Sequence, residues 1–259
     1  MDYNQIDRVA VQYASEVKNM MERLATSIIN MSEQFEREEF LSIMSAINME
    51  TYILNEMGYT STVSSLIIKY QQLLKDTPYF APISETILES LLDYEQATFL
   101  QNAGMYGNTI RTSTIQGIIS GMSKDDIIRS LSNLPNLSVG NLTTLITTSM
   151  STFRRSVIRQ QADYAPEGQQ YVYIGPADGR TRDICLEQLN AGNISLDEID
   201  KRFPGGFRDG GGYNCRHQWE PVTSSSDKLW KGDKADKLIE ARGDKYTPFT
   251  LQELYKNRA

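Results

Sequence analysis

The chain has 259 residues, 40% hydrophobic and 9% aromatic, which is enough apolar material to build the core of one or two domains. Its net charge is −7, from 26 Lys and Arg against 33 Asp and Glu. No stretch carries the dense basic clustering that neutralises many phosphates, which argues against free-standing duplex binding. The first residues are acidic and polar where a secretory leader has lysines and an apolar run, and no apolar run approaches bilayer length. The expectation is a protein made in the cytoplasm, with no membrane partner and with reduced cysteines.

The first 160 residues read as successive helices. Ile6, Ala10, Tyr13, Val17, Met20, Leu24, Ile28 and Met31 recur at spacings of three and four and predict one long amphipathic helix. A second helix is predicted through Phe40, Met44, Ile47, Leu54 and Met57, ending at Gly58, and a third over Val63 to Leu74, closed by Asp76-Thr77-Pro78. Ser84 to about Leu100 and Asn108 to Ser120 read as two further helices. A capping box at Ser123 and Asp126 opens a short one, and a Thr-rich helix runs from Ser138 to about Tyr164.

The pattern changes after Ala165-Pro166-Glu167-Gly168. Gln169 to Gly175 is a β-branched and aromatic run that predicts a strand, followed by a helix from Arg182 to Asn190 and a second capping box at Ser195 and Glu198. The glycine- and proline-rich stretch 203–212 predicts a loop, and Cys215 to Val222 a second strand. Beyond Thr223 the chain is polar, with isolated anchors at Trp230, Leu238, Tyr246, Phe249, Leu251, Leu254 and Tyr255, and reads as an arm folding against its own domain or a neighbour. The expected fold class is therefore mainly α. It comprises a helical bundle over residues 1–165, a small C-terminal α+β domain over 166–222 and an extended C-terminal tail over 223–259.

Candidate chemistry gathers around DGGGYNCRHQW, residues 209–219, which holds the only histidine and one of the two cysteines. Strand alternation places Cys215, His217 and Trp219 on one face and Arg216, Gln218 and Glu220 on the other, while Cys185 and Leu189 share a face of the preceding helix. If that helix packs on the sheet, Cys185, Cys215 and His217 converge as ligands for a zinc ion, with Asp183 or Asp209 as a fourth. Two other readings stay open. One is a Cys/His catalytic couple; because side chains two apart on a strand face lie about 6–7 Å apart, Cys185 would be the nucleophile beside His217. The other is a miniature core of buried thiols and a satisfied imidazole, with Asp178, Arg180, Arg182 and Asp183 capping and ion-pairing around it. The triple glycine lacks the Lys-Ser/Thr and helix of a phosphate loop. The basic segment 101–160, with 6 basic and 2 acidic side chains, offers Arg154, Arg155 and Arg159 as candidate DNA contacts.

The order of motifs adds to this. A Thr-rich helix, a strand, a D-G-R-T-x-x-x-C turn and helix, a glycine loop and a terminal N-C-R-H before W-x-P-V resemble the phage head morphogenesis proteins of the Mu F-like family, also called minor head or minor capsid proteins. The resemblance covers about residues 120–222 and is carried by Asp178, Arg180, Thr181, Cys185, Asn214, Cys215, Arg216 and His217. Family members commonly have cysteine where His217 stands, an exchange between two zinc-ligand types. The resemblance implies a structural virion protein of a tailed bacteriophage, sited at the portal vertex or inside the head and acting in head morphogenesis and in DNA packaging or ejection. Its implied partners are portal or major capsid protein, further copies of itself and the packaged DNA. The competing functions are a Cys/His-dependent hydrolase or toxin-like enzyme and a capsid-internal DNA-contacting protein.

Overall fold

A computed structural model describes residues 3–74, 84–134, 137–223, 226 and 230–247. The chain is mainly α-helical, with one small three-stranded antiparallel sheet, and divides into two compact units. The first is Met1–Gln72 with Thr86–Thr147, the second Leu73–Glu85 with Thr148–Ala259. None of the described helices is long and apolar enough to cross a membrane.

The helical unit is built on α1 (Tyr3–Gln34), whose predicted apolar stripe is buried from Ile6 to Ile28. The single helix expected over 40–57 is two, α2 (Arg37–Ala46) and α3 (Met49–Asn55). Ile47 turns extended, and Asn48 caps α3 by accepting the Thr51 N–H at 3.1 Å. The open end of α2 is closed by Arg111, which donates to the Met44 and Ile47 carbonyls at 3.1 and 3.3 Å.

After α4 (Tyr59–Leu74), the two helices expected over 84–120 are one, α5 (Glu85–Ile119). Gly107 lies within this helix and serves packing: a Cβ on it would stand 2.8 Å from Met49 Cβ and 3.0 Å from the Met49 carbonyl oxygen. Tyr13, Tyr59, Phe99 and Tyr106 form an aromatic centre, in which the Tyr13 and Tyr59 hydroxyls meet at 2.6 Å and Tyr59 donates to the Phe99 carbonyl. α6 (Lys124–Ser132) starts at the expected cap, where Ser123 Oγ accepts the Asp126 N–H. The predicted stop at residues 76–78 lies outside the described residues.

α7 (Val139–Ala162) crosses the unit boundary, which falls between Thr147 and Thr148 rather than at the expected residue 165. The reason is that the second half of α7 buries Ile158, Ala162 and two arginines in the smaller unit. There follow β1 (Gln170–Ile174), α8 (Asp183–Asn190), β2 (Ile194–Ser195), α9 (Leu196–Arg202), a single-turn α10 (Gly206–Asp209), β3 (Gln218–Pro221) and α11 (Gly232–Arg242). The sheet order is β2-β1-β3, with Tyr173 opposite Trp219. The core joins Ile158, Tyr173, Leu189, Phe207 and Trp219, and the Trp219 indole donates to Gln188 Oε1 at 3.1 Å.

Three expectations change here. The glycine stretch 203–212 is not all loop but holds α10, entered through Gly205 in the left-handed region at φ 76°. The strand expected from Cys215 begins only at Gln218. The described part of the tail is no extended arm. α11 packs on α8 with Ala235 buried, Trp230 donates its indole N–H to the Leu189 carbonyl at 2.8 Å, and Arg242 pairs with Asp183. The anchors Phe249, Leu251, Leu254 and Tyr255 lie outside the described residues.

Candidate functional site

Cys185, Cys215 and His217 do converge, by a route other than strand alternation. Asn214 takes the left-handed conformation at φ 55°, which asparagine tolerates better than other side-chain-bearing residues, and its N–H is held by Thr148 Oγ1 at 2.9 Å. The chain then turns through 215–217 without pairing, so Cys215 Sγ and His217 Nδ1 approach to 3.7 Å instead of the spacing of a flat strand. Cys185, on the inner face of α8, brings its sulfur to 3.7 Å from that of Cys215. The three ligand atoms lie within 4.8 Å of one another, and all three residues are buried.

The surroundings hold these atoms in place. Gly211 and His217 donate their N–H groups to Cys215 Sγ at 3.0 and 3.4 Å, and the Tyr173 hydroxyl stands 3.6 Å from the same sulfur. Tyr173 also stacks on the imidazole, with centroids 5.6 Å apart and planes 11° from parallel. His217 Nε2 lies 2.7 Å from the Pro176 carbonyl; that oxygen only accepts, so Nε2 carries a proton and Nδ1 faces the sulfurs. A Cβ on Gly211 would overlap the Cys185 sulfur, which accounts for one of the three glycines.

Burial pushes the Cys215 thiol up. Hydrogen bonds with Cys185 and His217 and the charge of Arg155 outweigh it, and the group falls well below the ordinary thiol range. Cys185 is raised, first by its hydrogen bond to the Cys215 sulfur and then by its own burial.

The motif residues brace this centre. Arg216 forms a two-pronged ion pair with Asp178 at 2.8 and 2.9 Å. Asp178 also accepts the Arg180 N–H, and its carboxyl is lowered to about 2, chiefly by the Arg216 hydrogen bond. Thr181 Oγ1 bridges the Asp178 N–H and the Pro176 carbonyl. Arg182 donates to the Gly211 and Tyr213 carbonyls, tying α8 to the glycine loop, and the Arg180 side chain is exposed. Asp183 and Asp209, the expected fourth ligands, point elsewhere: Asp183 accepts from Arg242 and the Thr247 N–H, and Asp209 pairs with Arg208.

Two of the three arginines offered as DNA contacts, Arg154 and Arg155, are buried. Arg155 is 1% exposed and donates to the carbonyls of Arg208 (2.7 Å), His217 (3.1 Å) and Cys215 (3.3 Å) and to Thr152 Oγ1. Arg154 is buried against Glu220 at 2.9 Å. Arg159 pairs with Asp163 and Asp200. Arg154 and Arg155, buried and engaged in this way, are not available to a phosphate, whereas the Arg159 side chain stays 34% exposed. The signal for Arg155 was present, since Ser151, Arg155, Ile158 and Ala162 form one stripe at helical spacing and all four are buried.

No protein-family model matches this chain, and no curated protein or solved structure matches it either.

Proposed function

We propose that the chain is a structural head protein of a tailed bacteriophage, acting through contacts with portal, capsid or further copies of itself in head morphogenesis and DNA packaging or ejection. One observation carries the reading: most of the residues on which the resemblance to Mu F-like head proteins rests engage one another, Thr181 and His217 through the shared Pro176 carbonyl. Asp178 binds Arg216, Thr181 binds Asp178, and Cys185, Cys215 and His217 converge on one another. Motif residues that serve one another are what a fold signature requires, and on this reading the cluster acts on no substrate. Against the hydrolase alternative stands the 2% exposure of Cys185, Cys215 and His217.

The test is mass spectrometry of gradient-purified particles of the phage that carries this reading frame. The expected result is the chain in the particle at low copy relative to the major capsid protein. Its absence from particles and presence only in the lysate overturns the proposal.

A further inference from the structure

We infer that Cys185 Sγ, Cys215 Sγ and His217 Nδ1 bind a zinc-type divalent cation that pins α8, the glycine loop and the segment leading into β3 together. The inference is independent of where the chain acts, because it rests on four features of the cluster alone.

The first is spacing. Zinc bonds of about 2.3 Å to sulfur and 2.0–2.1 Å to nitrogen at tetrahedral angles set neighbouring ligands about 3.8 Å apart for two sulfurs and about 3.6 Å for a sulfur and a nitrogen. The two separations to Cys215 Sγ are both 3.7 Å, and all three ligand atoms lie within 4.8 Å of one another. The second is tautomer. Engagement of Nε2 by the Pro176 carbonyl turns the lone pair of a neutral imidazole, on Nδ1, toward the sulfurs, the outer-shell arrangement that orients metal-bound histidines. The third is the pair of backbone N–H donors on Cys215 Sγ, which stabilise a thiolate and leave one of its three lone pairs for a metal.

The fourth is the remaining coordination position. A cavity of about 30 Å³ borders the three ligands and is edged by Arg180, Arg182, Asn214 and Arg216. It has room for a water as fourth ligand, since one probe sphere occupies about 10–15 Å³. Two thiolates and one imidazole form a soft to borderline set, which selects zinc over magnesium or calcium. The two thiolates balance its double charge, so a buried site carries no net charge from the metal and its ligands.

The experiment uses the full chain, purified without chelator in the presence of a reductant, with metal measured by plasma mass spectrometry. About one zinc per chain is expected, falling at least tenfold in Cys185→Ser and in His217→Gln. Because such variants can fail to fold, the wild-type chain is also stripped with a chelator and titrated with Co²⁺. Thiolate-to-cobalt charge-transfer absorption with intense tetrahedral d–d bands, saturating near one equivalent and displaced by zinc, is the expected result. Three outcomes overturn the inference: a reduced, folded chain that takes up no cobalt; zinc retained undiminished in folded Cys185→Ser; or a Cys185–Cys215 disulfide as the stable form in cells.

Discussion

Replacing Arg155 with methionine separates a structural arginine from a nucleic-acid contact. The wild-type guanidinium holds three backbone carbonyls and a threonine hydroxyl in a site only 1% exposed. Methionine fills similar volume but donates to none of them. Stranding a buried carbonyl costs about 1–3 kcal/mol, so three set a loss of about 5 kcal/mol. Removing a buried, desolvated charge returns part of that, which leaves a net destabilisation of about 3 kcal/mol. Both tryptophans of the chain, Trp219 and Trp230, lie in the same unit as Arg155, so their fluorescence reports that unit alone. With a urea slope of about 1.5 kcal/mol/M, the fluorescence midpoint should fall by about 2 M. Arg155→Lys keeps the charge but not the fork of donors and should recover little of the loss. An unchanged midpoint in Arg155→Met, accompanied by weaker DNA binding, would refute the reasoning and return this residue to the surface.

Two further perturbations probe the packing and the motif. Gly107→Ala places a methyl group 2.8 Å from Met49 Cβ, so the helical unit should lose about 2 kcal/mol in a denaturant series followed by circular dichroism, although alanine is ordinarily the better helix former by about 1 kcal/mol. A more stable variant would show that α3 and α5 are not in close approach. For Asp178→Asn the sign follows from the lowered carboxyl: a group at about 2 in the fold against 3.8 in the unfolded chain stabilises above 3.8, and that contribution disappears as pH falls through about 2. Because the carboxylate is 37% exposed, water screens the pair and the expected gap between wild type and variant at neutral pH is about 1 kcal/mol. Urea titrations from pH 7 to pH 2 should show the gap closing; one that persists at pH 2 means the pair is held by something other than charge.

Periodicity carried much of the fold. The α1 stripe, both capping serines and β1 are visible in the sequence because each follows from local spacing or a local hydrogen bond. Where tertiary contacts decide, local signals misled. Gly107 sits inside one continuous helix and allows close packing, and the apolar positions on either side of Asn48 look continuous although its side chain starts a new helix. At the site, alternation put Cys215 and His217 on one face, and their approach comes from an irregular turn that period two does not describe. Charge was the weakest guide. Arg154 and Arg155 count toward a basic segment, yet Glu220 and backbone carbonyls more than fifty residues away in sequence take up their donors.

The strand order β2-β1-β3 sets a schedule for synthesis. β1 is the middle strand, yet both neighbours come after it: Tyr171 lies against Ile194 on one side and against Pro221 on the other. At about 5–20 residues per second, a ribosome leaves this apolar strand with an unpaired edge for several seconds before β3 has been made. Until both partners have followed, the nascent chain carries an apolar strand with an open edge, the kind of edge that can pair with another chain.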